Sequence, residues 1–248
     1  MFPIRDHNPS GRFPFVTYAL MAANIIIFLA YYPAMSGDPR LLASFWDTWA
    51  LVPAEVVAGQ DRYTLITSMF LHGGWMHLAG NMLFLWIFGD NMEDVLGHIG
   101  FVIFYLAAGL CASILQIGFD PGSGIPVVGA SGAIAGVLGG YLLLFPKARV
   151  DIIIIIVIIF KTFTLPAWIV LSAWFALQVF GGFSSPADQG GVAYWAHVGG
   201  FVAGAVFILP VWMRRGAQAF WHRTEGHPPH PPTFEDYPTR IPVVRRKR

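Results

Sequence analysis

The chain has 248 residues, 56% of them hydrophobic and only 12% charged, with a formal net charge of +1 and a mean hydropathy of +0.59. So few ionisable side chains cannot cover a water-facing surface, which excludes an ordinary soluble globule and points to a membrane protein. Nothing in the sequence suggests a nucleotide, metal or nucleic-acid site, so no cofactor is expected.

Crossing a hydrocarbon layer of ~30 Å takes ~20 apolar residues as a helix, and long uncharged runs recur from Phe13 to Trp212. Their density predicts one bundle rather than several domains. The first run, Phe13 to Tyr32, is too long for a cleaved signal core and is read as a retained span. The predicted spans are 13–33, 76–92, 98–118, 131–146, 164–182 and 193–213, an all-α bundle of six transmembrane helices. Between the first two, Ala34 to Trp75 carries Asp38, Asp47, Glu55 and Asp61 and is too long for a tight turn. It reads as a structured outer loop, set in the membrane interface by Trp46 and Trp49. Cys111, the single cysteine, reads as a small buried hydrophobe.

Asp151 to Phe160 is nearly all isoleucine and too short to span alone. It can extend the fifth helix, lie at the interface or pair as a strand, since β-branched residues permit each. From His222 onward the chain repeats His and Pro, ends in Arg-Arg-Lys-Arg and lacks apolar periodicity. Disorder is the expectation there, with metal binding by His222, His227 and His230 as the alternative. The chain thus divides into a membrane domain, 1–213, and a basic tail, 214–248.

Placing both termini in the cytoplasm puts Arg5, Arg12, Lys147, Arg149 and the eight basic residues after position 213 inside, twelve of 15. The excess of basic residues on one side favours that orientation.

Polar groups at membrane depth are costly, and three clusters of them need a reason. His77 and Asn81 stand four residues apart at the start of the second span, on one helix face. They read either as hydrogen-bond donors aimed at an oxyanion or as an interhelical pair. Gly129-Ala130-Ser131-Gly132-Ala133 opens the fourth span; alone, it reads better as small-residue packing than as a catalytic element. His197 near the start of the sixth span shares a face with Gly200 and Gly204, and alone it suits a proton relay or a structural hydrogen bond equally. The topology sets these three starts at one depth, so a hydroxyl, a base and oxyanion donors can meet. No orienting acid is marked by its spacing, since Asp120 and Asp188 lie in loops, and a Ser-His dyad is the simpler expectation.

With His72-x4-His77-x3-Asn81, Gly-Ala-Ser131-Gly-Ala and Ala-His197-x2-Gly-x3-Gly each on its span, the chain resembles the rhomboid family of intramembrane serine proteases over about residues 13–213. The resemblance implies Ser131 as nucleophile and His197 as base. It places the oxyanion between the Ser131 backbone N–H and the side chains of His77 and Asn81, and it implies the six-helix core. Arg62-Tyr63 looks like the family's outer-loop arginine motif, and Glu93-x3-Gly97 like its acid and glycine after the second span, both assigned to structure. There are departures: Ala135 stands where some members carry a ring against the base, and Asp61 where a Trp is often found. The implied activity is endopeptidase cleavage of single-pass membrane proteins. Trp168, Trp174, Phe175 and Phe180 of the fifth span read first as lipid-facing and packing aromatics, with lateral substrate entry beside them as the alternative. The rival reading is an inactive rhomboid-like protein that binds membrane clients. Membrane lipid and transmembrane substrates are the expected partners and no nucleic acid is; the oligomeric state is left open. A bacterial inner membrane is the expected location.

Overall fold

The computed structural model describes residues 2–156, 159–185 and 190–224. The expected tail residues from 225 on, with His227 and His230, and loop residue Asp188 lie outside the described residues. The elements run β1 (Phe2–Asp6), α1 (Phe15–Met35), α2 (Pro39–Trp49), α3 (Pro53–Val57), α4 (Thr64–Thr67), α5 (Trp75–Phe119), α6 (Ser131–Leu144), β2 (Arg149–Ile156), β3 (Ile159–Pro166), α7 (Ala167–Ser184), α8 (Tyr194–Arg214) and α9 (Gln218–Thr224). Four helices, α1, α5, α7 and α8, are long and apolar enough to cross a membrane, and α6 is a shorter apolar helix. This is a helical membrane bundle, and each expected span falls on a helical segment.

Two of those spans are the arms of α5, which turns at Gly97, where φ is 70° and ψ 165°. That left-handed conformation suits glycine, which has no Cβ to clash. Beyond it the second arm runs back along α6: Ala112, Ala108 and Phe104 meet Gly132, Gly136 and Gly140 in turn.

An apolar helix without a polar face belongs in the interior, and α6 is buried continuously from Gly132 to Tyr141. Its glycines let α8 approach backbone to backbone. A Cβ on Gly200 would clash with the Gly132 carbonyl oxygen, and one on Gly204 with that of Gly136, so the two helices run in parallel in close contact. At 1.5 Å per residue the 14-residue α6 is about 21 Å long, less than a hydrocarbon layer.

Glu93 closes the opposite end of the bundle. Its carboxylate, 1% exposed, accepts from the Val16 and Thr17 backbone N–H groups at 3.0 and 2.8 Å and from the Thr17 hydroxyl at 2.7 Å. The start of α1 has no cap of its own behind Pro14, so Glu93 supplies the acceptors that orphan N–H groups need. His98 Nδ1 lies 2.6 Å from the same carboxylate. The Glu93 motif thus serves structure, as expected.

Of the three options for the isoleucine run, pairing as a strand is the one adopted. β2 and β3 form an antiparallel hairpin from Arg149↔Pro166 to Ile156↔Ile159, and β1 adds antiparallel to β2. Asp151 accepts from the Thr164 hydroxyl across the hairpin at 2.6 Å. The hairpin therefore displaces the start of the fifth span from 164 to Ala167. In the 34–75 stretch, α2 buries none of its residues, so it lies on the surface as the loop reading requires. Cys111 is half-buried rather than fully enclosed. Within 214–248, the described part ends in α9, pinned by buried Phe220 and by Trp221 Nε1 donating to the Leu143 carbonyl at 3.0 Å.

The N-terminal segment docks at the sheet end through Asp6, which accepts from the Tyr141 hydroxyl at 2.8 Å. Burial, reinforced by nearby Asp90, pushes the Asp6 carboxyl up to about 7. A carboxyl raised in the folded state costs nothing below the unfolded value. It destabilises progressively as pH rises from about 4 to about 7, after which the full cost persists. Asp6→Asn is therefore expected to raise the melting temperature at pH 8 by about 2–4 °C, and by less at pH 5. Thermal unfolding in detergent at the two pH values checks this; an equal shift at both would remove the ionisation argument.

Candidate active site

The starts of α5, α6 and α8 converge at the end of the bundle away from the sheet. Ser131 is the first residue of α6, so its backbone N–H is among the four that no helical carbonyl reaches. Two residues earlier, Gly129 holds φ at 135°, and its N–H bonds the Ser68 carbonyl at 2.9 Å. A Cβ at Gly129 would stand 2.8 Å from His77 Nε2 and 3.4 Å from Ser131 Oγ. The absent side chain leaves the space that those two atoms share.

His197 is set by α8, whose first turn is fixed when the Ala196 N–H donates to Gln116 Oε1 of α5 at 3.1 Å. Its Nε2 lies 2.8 Å from Ser131 Oγ. The pair expected from the sequence is thus hydrogen-bonded, within reach for proton transfer from hydroxyl to imidazole.

The other two expected residues lie on the first turns of α5. The Gly73 N–H donates to His77 Nδ1 at 3.3 Å, which leaves the proton on Nε2, the atom facing the Gly129 space. Asn81, one turn on, is 7% exposed, and its Nδ2 has no hydrogen-bond partner among the described residues. A buried donor left unpaired costs about 1–3 kcal/mol and calls for an explanation. An anion developing on a carbonyl beside Ser131 would supply the missing acceptor.

One residue that sequence reasoning passed over completes the site. Gln178 of α7 places Oε1 2.8 Å from His197 Nδ1, and the Trp174 ring of the same helix lies 5.7 Å from the imidazole, tilted by 33°. These hold the ring for which Ala135 provides no aromatic partner; Ala135 is instead fully buried, its Cβ 3.3 Å from where a Gly200 side chain would start. The signal for Gln178 was present, because an amide in an apolar span is as costly as the histidines that were noticed. Asp120 caps the end of α5, and the partner given to His197 Nδ1 is the amide and not an acid.

At Asp61, φ is +43°, a conformation Asp tolerates better than Trp, and its carbonyl accepts from the Thr64 N–H and hydroxyl. Tyr31 ties the next segment to α1, accepting from the His72 N–H at 2.9 Å and donating to its carbonyl at 2.6 Å. A cavity of about 20 Å³ lies behind Ser131, lined by Ser68, Ser113, Gly129 and Ala196 among others. That is room for one water. The larger cavities, such as that of about 420 Å³ around Asp6 and Asp90, open at the sheet end, away from Ser131.

Comparison with known proteins bears on the family of the chain. Residues 59–214 match the sequence family described as the rhomboid domain. The chain is 28% identical over 198 residues to rhomboid protein 1, mitochondrial, of Saccharomyces cerevisiae, covering 77% of this chain and 52% of that one. It is 36% identical over 130 residues to rhomboid protease GluP of Bacillus subtilis, covering 52% and 24%. With the mouse (Mus musculus) presenilin-associated rhomboid-like protein, mitochondrial, it shares 30% over 222 residues, covering 84% and 53%. The chain spans about half or less of the length of these relatives.

Proposed function

This chain belongs to the rhomboid family, and from that premise we propose that it is an intramembrane serine endopeptidase acting on single-pass transmembrane proteins. The observation that carries the reading is the 2.8 Å hydrogen bond between Ser131 Oγ and His197 Nε2, beside the unpaired Asn81 amide. Ser131 is the nucleophile and His197 the general base. His197 takes the hydroxyl proton as Oγ attacks the carbonyl carbon. The oxyanion is received by the Ser131 backbone N–H, His77 Nε2–H and Asn81 Nδ2. His197 then gives the proton to the departing amine, and water, admitted from the polar end of the bundle, releases the acyl group by the reverse sequence.

Substrate must present an extended segment, since a helical backbone keeps its carbonyls in hydrogen bonds. Gly or Pro near the scissile bond therefore favours cleavage. Entry is assigned to the side of α7, the least enclosed of the long helices, with 22% of its apolar window buried. The excess of basic residues on one side supports an orientation with both termini in the cytoplasm, and a bacterial inner membrane is the proposed location. Relatives whose names place them in mitochondria make an organelle membrane the alternative.

Labelling of the purified protein with a fluorophosphonate probe tests the reading. Wild type is expected to label, and Ser131→Ala and His197→Ala are not. Absence of labelling in folded wild type would turn the assignment to a client-binding member of the family without hydrolysis.

Asn81→Ala is expected to lower cleavage about 10²–10³-fold, the usual cost of one oxyanion donor, while leaving thermal stability unchanged or slightly raised, because that buried donor has no partner to lose. Turnover of a transmembrane substrate in liposomes, read beside the melting curve, checks both halves of this expectation.

A further inference from the structure

The side-chain amide of Gln178 is held in one orientation from within its own helix. Its Nε2 donates to the Trp174 carbonyl at 3.3 Å, which turns Oε1 outward to His197 Nδ1, 2.8 Å away. An amide oxygen only accepts, so Nδ1 must carry the imidazole proton. The lone pair on Nε2 is then left facing Ser131 Oγ, 2.8 Å away. The opposite tautomer would set a bare Nδ1 against the amide oxygen and an N–H against the hydroxyl oxygen, and Nε2 could no longer accept the hydroxyl proton.

We infer that Gln178 is a positioning residue that fixes His197 in the Nδ1–H tautomer and makes the readiness of the base depend on where α7 sits. The second part follows from which helices carry the three groups. Ser131 and His197 stand on α6 and α8, which are locked together backbone to backbone. Gln178 alone stands on α7, whose buried residues are Ala167, Val170 and Leu171 at the sheet end and Gln178 two turns beyond. Apolar packing roots one end of α7. Further along, α7 is joined to α8 by the ring contacts of Trp174 and Phe175 with Phe201, by the Gln178 amide, and by Gly181, Gly182 and Phe183 against the Tyr194 and Trp195 rings. A displacement of this half of α7 relative to α8 must part these ring contacts and break the hydrogen bond to Nδ1, while the backbone lock keeps α6 and α8 together, and its return restores the tautomer. The base is therefore armed when α7 is closed and released when α7 swings away.

The kinetic consequence rests on the proposed hydrolytic role of the dyad, whereas the tautomer belongs to the resting protein and can be read without turnover. Nitrogen-15 NMR of histidine-labelled protein, with the His197 signals identified by their absence in His197→Ala, is expected to give the Nδ1–H form in wild type and a growing share of the Nε2–H form in Gln178→Leu. An Nε2–H form in wild type, or no change in Gln178→Leu, overturns the inference whatever the activity. In the cleavage assay Gln178→Leu is expected to lose about 10–100-fold in kcat with KM little changed, as for loss of a group that acts through the base. Gln178→Glu, which keeps an acceptor at the same reach, is expected to recover most of the rate. A folded Gln178→Leu with wild-type kcat overturns the positioning role while leaving the protease reading intact. Inert wild type with the expected tautomers does the reverse.

Discussion

Alanine at position 131 is expected to abolish cleavage of a single-pass substrate, by about 10⁴–10⁶-fold, with the fold intact. The size of the loss follows from what the hydroxyl does under the proposed chemistry: without it there is no acyl intermediate, and what remains is binding and a vacant set of oxyanion donors. The fold should survive because the Ser131 side chain bonds His197 Nε2, and one such bond contributes only about 1 kcal/mol. Non-additivity makes the test sharper. His197→Ala should match Ser131→Ala, and the double variant should be no slower than either, since nucleophile and base act as a unit. A double variant worse than both singles would mean that the two residues contribute separately, and full turnover in Ser131→Ala would remove the assignment.

Gly200→Val is expected to have the largest effect on the fold itself. The new Cβ would clash with the Gly132 carbonyl oxygen, with Ala135 close by. Neither neighbour is a flexible side chain, so α6 and α8 must separate along the face that positions Ser131 and His197. Overpacking of this kind costs about 3 kcal/mol or more. The expected result is little monodisperse protein on size exclusion in detergent and a lower melting temperature in what survives. Gly118→Val is the matched control, because no atom lies within 4 Å of the side chain it would add. Equal melting temperatures for the two variants would contradict the close α6–α8 approach.

The residues legible in the sequence were those whose presence at membrane depth is expensive. Ser131, His197, His77 and Asn81 stood out because each is polar in an apolar run and three helix starts share one depth. Gln178 carries the same cost, yet it lies among the aromatic residues of the fifth span, where bulk drew attention to Trp174 and Phe175 instead. Its partner is also 19 residues away on another helix, a pairing that spacing along one helix does not reveal. Composition likewise left the isoleucine run open, because β-branched residues suit strands, interfaces and buried helices alike. What decides it is the pairing with Phe2–Asp6, nearly 150 residues earlier in the chain. The turn at Gly97 was visible as a glycine, but its hinge follows from the second arm finding the glycine face of α6.

The shortness of α6 has a consequence for the products. Its far end runs into Pro146 and exposed Lys147, which anchor it at one interface. Ser131 at the near end then stands about 9 Å below the other face of a ~30 Å layer. Under the proposed activity, a substrate cut at that depth would be shed with a greasy stub of about three to six residues, depending on whether they are extended or helical. Mass spectrometry of the released fragment would read the stub directly. Its length is a ruler set by fourteen residues of helix, so lengthening α6 by one turn should shorten it. The fragment would leave not as a clean soluble domain but as one with a residual affinity for the surface it came from.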